Sequence, residues 1–332
     1  MRVYTTCPAS ADYSTEEFLR RLVDVATWSE EAGCEGILTY TDNVLFDPWV
    51  IAQKIMEHTR RLTPLVAVNP VYIHPFTVAR MVSSVVALRG RRVDLNLVTG
   101  GFPRHLREMG CDLDHDERYD RLSDFGEILV ALVRGERPVD FESSYYRVRG
   151  LKVSPEVNPG LAPRIFVSGS SAACLGIQKK LDVCRLSYPR ELNQYPDPSF
   201  PGDAGLRLGI IARDSSAEAW KLAHERFPKN DIGEEMHDVA AELVESQWHL
   251  DLSGDVLDAR SFGGAYWIYP FRAYQTFCPY LVGDYAEVAA LLTRYMKMGA
   301  STFILDEPTE PADLQHSMNA LKQAERAVVH SL

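Results

Sequence analysis

The chain has 332 residues, 46% of them hydrophobic and 24% charged, a composition that fits an ordinary globular protein and excludes disordered and fibrous classes. Its net charge of -11 argues against nucleic acid or an anionic membrane as partner, because both demand clustered Lys and Arg. Six cysteines lie without CxxC spacing, no signal-peptide pattern opens the chain and no apolar run approaches about 20 residues, so a reducing cytoplasm is expected and a membrane span is not.

Taken in order, Arg2 to Cys7 is a β-leaning run, and Ser14-Thr15-Glu16-Glu17 caps a helix whose Phe18, Leu19, Leu22, Val25 and Ala26 recur at helical spacing. Gly36 to Tyr40 is the second strand, with a helix from Pro48 to about Thr59. The unit repeats as strand Pro64 to Pro70 and helix Pro75 to Leu88. It repeats again as strand Val93 to Val98, a loop over 99–113 and a helix from about Asp116 to Val133. The runs Arg89-Gly90-Arg91-Arg92 and His58-Thr59-Arg60-Arg61 read as solvated helix ends. Phe141 to Val153 suggests a surface hairpin turning at Ser143-Ser144.

Parallel order resumes with strand five at Arg164 to Ser168, a helix opened by Gly169-Ser170-Ser171, and strand six at Asp182 to Ser187. Leu206 to Arg213 is strand seven, Ser216 to Arg226 its helix and Glu234 to Leu250 an additional helix. From Ser253 to Gly283 periodicity fails while Phe262, Tyr266, Trp267, Tyr269, Phe271, Tyr274, Phe277 and Tyr280 accumulate, as in a lid or interface segment. Asp284 to Met298, Thr302 to Leu305 and Pro311 to Val329 supply a helix, strand eight and the closing helix. The order predicts an α/β fold, a (β/α)8 TIM barrel forming one domain over 1–332, with insertions that include a lid over 253–283 between strands seven and eight.

In such a barrel the ligand site lies at the C-terminal strand ends. Those ends carry Thr6 and Cys7, Tyr40 to Asn43, Asn69, Thr99 to Phe102, Ser168 to Ser171, Ser187 and Tyr188, Arg207 and Arg213, and Asp306. They hold no metal-spaced cluster of carboxylates or histidines, no nucleophile with a paired base and no Lys for a Schiff base, so a bound cofactor is expected to carry the reaction. Gly169-Ser170-Ser171 offers amides, hydroxyls and a helix start that suit a phosphate and equally make a plain N-cap. GxGxxG and P-loop patterns are absent. Asp112, Asp114, His115, Asp116 and Glu117 imitate a metal box but read as an acidic helix cap, with His115 and Tyr119 four apart on one face. Cys7 reads as a small buried hydrophobe.

Asn96-Leu97-Val98-Thr99-Gly100, Asp114-His115-Asp116-Glu117-Arg118-Tyr119, Val139-Asp140-Phe141 with Val148-Arg149-Gly150, and Ser168-Gly169-Ser170-Ser171 together resemble the luciferase-like flavin-dependent monooxygenases, in the alkanesulfonate monooxygenase-like branch. Asp47-Pro48-Trp49, Arg213-Asp214-Ser215 and Leu281-Val282-Gly283-Asp284 extend the resemblance from about residue 3 to 325. It implies reduced FMN, delivered by a separate NAD(P)H-dependent flavin reductase, reacting with O2 to a flavin peroxide that oxygenates an organic substrate. It also implies a homodimer or homotetramer. By this similarity Ser170 and Ser171, with Gly169 in their turn and Tyr119 opposite, hold the phosphate. Asn69, Asn96, Thr99, Gly100 and His115 line the flavin and its ribityl chain.

The departures concern the substrate. Sulfonate enzymes carry an Arg on strand seven and a His two residues on, whereas this chain has Arg207 and Gly209. The Cys that those enzymes carry after strand two aligns with Leu45, and their Tyr after strand eight aligns near Pro308. A simple alkanesulfonate is therefore not expected. The aromatic segment favours a larger substrate shielded from water, with Arg272 available to an anionic group. A specialised-metabolite intermediate, free or tethered to a carrier protein, is the expected substrate. A deazaflavin (F420)-dependent oxidoreductase and a flavin-binding protein with little turnover are the competing readings.

Overall fold

A computed structural model describes residues 1–135, 137–195, 199–243, 252 and 264–330. The chain alternates strands and helices: β1 (Arg2–Thr6), α1 (Thr15–Glu31), β2 (Gly36–Thr39), α2 (Pro48–His58), β3 (Thr63–Val68), α3 (Pro75–Arg89) and β4 (Asp94–Leu97). Helix α4 (Pro103–Glu108) interrupts the predicted loop before α5 (His115–Arg134). The hairpin β5 (Val139–Glu142) and β6 (Arg147–Leu151) pairs antiparallel, as its alternation predicts. Then come β7 (Ile165–Ser168), α6 (Ala172–Leu181), β8 (Cys184–Ser187), β9 (Ala204–Arg213) and α7 (Ser216–Arg226).

Strands β1, β2, β3, β4, β7, β8 and β9 join β12 (Ala300–Leu305) in the order β9-β12-β1-β2-β3-β4-β7-β8, and β8 pairs back onto β9. Every one of these pairings is parallel, so the sheet closes into the eight-stranded barrel that the sequence predicts. Tyr4, Leu38, Leu65, Phe166, Cys184, Leu186 and Ile304 fill its interior. Strand residues of the opposite pleat pack outward against the helices, for example Ile37, Leu206 and Phe303 with Phe18 and Leu22. Helix starts fall where capping chemistry puts them. Ser14 with Glu17, and Asp114 with Glu117, close reciprocal capping boxes, and Pro48, Pro75 and Pro103 occupy first-turn positions.

Between β9 and β12 the predicted helices near Glu234 and Asp284 are present, while residues 264–283, where periodicity is lost, hold short elements of their own. After α7 these elements are α8 (Asp231–Leu243), β10 (Tyr266–Trp267), a short helix α9 (Tyr269–Arg272), β11 (Tyr280–Asp284) and α10 (Tyr285–Lys297). The predicted lid residues 253–263, Phe262 among them, and residues 244–250 of the predicted extra helix lie outside the described residues. Strand β9 is ten residues long and serves two neighbours: Ala204–Leu208 pairs with β12, and Gly209–Arg213 with β11. Strand β11 thereby adds Tyr280 and Leu281 to the barrel wall just above Arg207. The chain closes with α11 (Pro311–Val329).

Candidate active site

Two groups of polar side chains meet at the C-terminal end of the barrel, one on strands β3, β4 and β7, the other on β2, β8, β9 and β12.

In the first group Asn96 is buried on β4, and its Oδ1 accepts a 2.8 Å hydrogen bond from the hydroxyl of Ser168 at the end of β7. Asn69, just past β3, turns its own loop by accepting from the Val71 amide at 3.0 Å. Its Nδ2 stands 3.1 Å from where a Cβ on Gly100 would lie, and Gly100 has a φ of +82°, so only glycine brings the backbone this close. Gly169 is tighter still. Its φ is +150° and an added Cβ would fall 2.4 Å from the Tyr119 hydroxyl and 3.1 Å from Cys174 Sγ.

The Tyr119 hydroxyl is the point of convergence. It donates to the Ser168 carbonyl at 3.4 Å and lies beside the side chains of Thr99, Ser171 and Cys174; burial pushes its pKa up, which keeps it a neutral donor. Ser171 caps α6 by accepting from the Cys174 amide at 3.3 Å. His115 opens α5 with its ring 4.9 Å from that of Tyr119 and its Nδ1 2.8 Å from Asp116 Oδ1. Strand ends three, four and five, the start of α5 and the N-terminus of α6 thus bring Asn69, Asn96, Thr99, Gly100, Tyr119, Gly169 and Ser171 together, with His115 at the edge. Ser170 sits in the same turn. Hydroxyls, amides and two glycine approaches form a cradle that fits a phosphorylated polyol chain. Asp114 and Glu117 are spent on the cap of α5, and no cluster of His, Cys, Asp and Glu among the described residues has metal-binding geometry.

Arg207 centres the second group. Its side chain is 12% exposed and its Nη2 donates to the Tyr40 hydroxyl at 2.9 Å. The guanidinium lies 5.2 Å from the Tyr40 ring centroid and 6.0 Å from that of Tyr188. Asp306, at the end of β12, places Oδ1 a long 3.5 Å from Nη2, while Arg207 Nε is buried without a hydrogen-bond partner. The other carboxylate oxygen of Asp306 is gripped from the inserted segment: Thr276 donates to it at 2.6 Å and Tyr280 at 2.8 Å. Burial alone would lower the Arg207 pKa, but Tyr40, Tyr188, Cys278 and Asp306 around it outweigh this and hold it well above its ordinary value. Arg272, on α9, has its Nε 3.7 Å from a Glu234 carboxylate oxygen on α8 and makes no hydrogen bond through it. Arg213 pairs with Asp313 at 3.2 Å, a packing role.

Tyr280 and Thr276 lie in the aromatic stretch, where the sequence offers no means of ranking one hydroxyl over another. The only local signal is Gly209, its Cα partner across the β9–β11 ladder: an added Cβ there would stand 2.2 Å from the Tyr280 ring. The phenol therefore occupies the space that a side chain at 209 would need. At the opposite, N-terminal end of the barrel a cavity of about 240 Å³ is lined by Arg2, Arg164 and Asp203 among others, with Arg2 paired to Asp203 and Arg164 to Glu35.

Cys7, beside Tyr40 and Arg207, is fully enclosed, and burial pushes its thiol up to about 12. Burial does the same to Cys34, Cys174 and Cys184. All six cysteines are free and buried. The native protein at pH 8 should accordingly release less than one thiol's worth of colour with an aromatic disulfide reagent over minutes, and about six after denaturation. Rapid titration of one thiol in the folded protein would show a reactive cysteine that the burial denies.

The sequence model described as luciferase-like monooxygenase matches residues 1–180. Over 324 residues the chain is 32% identical to the 4-(gamma-L-glutamylamino)butanoyl-[BtrI acyl-carrier protein] monooxygenase BtrO of Niallia circulans, covering 95% of each chain. Among solved structures, EDTA monooxygenase EmoA from Chelativorans sp. BNC1 superposes with a TM-score of 0.74 at 15% identity, over 99% of this chain and 94% of that one. An F420-dependent secondary alcohol dehydrogenase superposes at 0.64 and 12% identity, over 97% and 98%, a likeness of fold alone. With more than half of the chain matched by the family's sequence model and a relative similar along nearly its whole length, the protein belongs to the luciferase-like monooxygenase family.

Proposed function

We propose that the protein is the oxygenase half of a two-component system that uses reduced FMN from a separate NAD(P)H-dependent flavin reductase. The observation that carries the cofactor reading is the meeting of the Tyr119 hydroxyl with Gly169 and Ser171 at the start of α6, a place built for a phosphate. Reduced FMN supplies the two electrons that take one atom of O2 to water while the other enters the substrate. Ser170, Ser171 and Tyr119 hold the phosphate. Asn69, Asn96, Thr99, Gly100 and His115 line the ribityl chain and ring. Arg207 faces the substrate, and Tyr40, Asp306, Thr276 and Tyr280 keep its guanidinium in place. Residues 264–279 of the inserted segment act as a lid on a single barrel domain, their aromatic rings keeping water from the reacting atoms.

The substrate is an acyl intermediate of specialised metabolism, tethered to a carrier protein. The reading rests on the 32% identity to a relative whose name specifies such a substrate, and on an Arg207 site that lacks the strand-seven histidine of sulfonate enzymes. Exposed Val50 on α2 and Leu88 on α3, at 66% and 83% exposure, support assembly into a homodimer or homotetramer.

Mixing the protein with photoreduced FMN and air tests the cofactor. A transient near-ultraviolet absorbance that outlives the autoxidation of free reduced FMN is expected. Tight oxidised FMN without that transient would make the protein a flavin carrier, and a preference for F420 would make it a deazaflavin oxidoreductase. Intact-protein mass spectrometry of acylated carrier proteins tests the substrate, with a gain of one oxygen atom as the expected result.

A further inference from the structure

Strand β8 turns Cys184 and Leu186 into the barrel interior, so Arg185 between them points outward, into the layer beneath the start of α6. It is 7% exposed there. Its Nη1 donates at 3.2 Å to the carbonyl of Gly169, its Nε is buried without a hydrogen-bond partner, and no carboxylate among the described residues pairs with it. A buried cation without a counter-ion is strongly unfavourable, and proteins retain one where an anion arrives.

The carbonyl that Arg185 grips belongs to the peptide unit joining Gly169 to Ser170. In a planar trans peptide the C=O and N–H point in opposite directions, so a guanidinium on the Gly169 carbonyl fixes the Ser170 N–H on the far side of the turn and polarises it as a donor. The same turn carries the Gly169 approach to Tyr119 and the Ser171 cap, and Cys174 stands beside both Tyr119 and Arg185. We propose that Arg185 is the buried counter-charge and positioning residue of a phosphate site on the Gly169–Ser171 turn, acting from behind the peptide that faces the phosphate. This rests on the FMN reading above and adds to it a cation that the sequence resemblance does not assign.

The test compares FMN with riboflavin, which lacks the phosphate, by flavin-fluorescence titration of the whole protein. Arg185→Met should raise the FMN dissociation constant on the order of 10- to 100-fold while the riboflavin constant moves less than about threefold. Arg185→Lys, which keeps the charge, should retain part of the preference for FMN. Inorganic phosphate should raise the melting temperature of the unaltered protein relative to chloride at equal ionic strength, a measurement that stands even where Arg185→Met does not fold. Equal loss for both flavins, unchanged FMN affinity in Arg185→Met, or no stabilisation by phosphate would overturn the role of Arg185. Wild-type protein that binds riboflavin as tightly as FMN would overturn the phosphate site itself, and the role of Arg185 with it.

Discussion

Arg207→Met should leave FMN affinity within about twofold of the unaltered protein while lowering turnover on the order of 100-fold, a loss of about 2.7 kcal/mol in the transition state. The separation follows from geometry. Arg207 shares no hydrogen bond with the Asn69, Asn96, Tyr119 and Gly169 group, and its own contacts run to Tyr40 and Asp306. Stability should fall as well, by about 3 kcal/mol. Removing the guanidinium leaves Asp306, 14% exposed, a carboxylate without its cation in a low-dielectric site. Asp306→Asn in the same chain should recover much of that stability, because two neutral partners avoid the unpaired charge, and it should recover none of the turnover. Thermal melts of the two single variants and the double variant measure the coupling. A double variant no more stable than Arg207→Met would show that the pair at 3.5 Å contributes nothing, and equal losses of FMN affinity and turnover would place Arg207 in the cofactor site instead.

How far the sequence could be read depends on the range of each interaction. Parallel barrel strands are covered on both faces, so they appear as unbroken apolar runs such as Leu65–Val68, and the caps Ser14, Asp114 and Ser171 mark the helices that follow. Gly169 and Ser171 could be picked out because each lies just beyond a strand end, and Tyr119 because it stands four residues from His115 on one helix face and within the stretch that carries the family resemblance. Arg207, Tyr40, Tyr188 and Asp306 belong to the strand-end set too, but Thr276 and Tyr280 could not be read, since they reach Asp306 from 30 and 26 residues away, out of a stretch where aromatic content hides the strand pairing of β11 with β9. Arg185 was visible only as a charge inside a four-residue strand. What it faces depends on the pleat, and the pleat is fixed by the closure of β8 onto β9. Arg272, read from the aromatic segment as available to an anionic group, also stands 3.7 Å from Glu234, a neighbour 38 residues away that the sequence does not mark.

Gly209→His, which restores the residue pattern of the sulfonate enzymes on strand seven, should destabilise the protein by about 3 kcal/mol and yield no cleavage of short alkanesulfonates. Even the Cβ would lie 2.2 Å from the Cε1 and Cζ atoms of Tyr280. The ring has nowhere to retreat, because Phe227 packs edge-on at 4.8 Å and the phenol hydroxyl is held by Asp306 at 2.8 Å. Overpacking in a well-filled site costs about 1–3 kcal/mol and more where neighbours are fixed. In a chain of this size that corresponds to a fall in Tm on the order of 5 °C or more. Tyr280→Ala combined with Gly209→His should return most of the lost stability by opening the space, whereas Tyr280→Phe alone should cost only about 1 kcal/mol, the value of one hydrogen bond. The contrast separates two roles of one residue. The ring of Tyr280 excludes a side chain at 209, and its hydroxyl steadies Asp306 against Arg207. If Gly209→His melts like the unaltered protein, the ring does not occupy that space, and the absence of the histidine then needs an explanation other than packing.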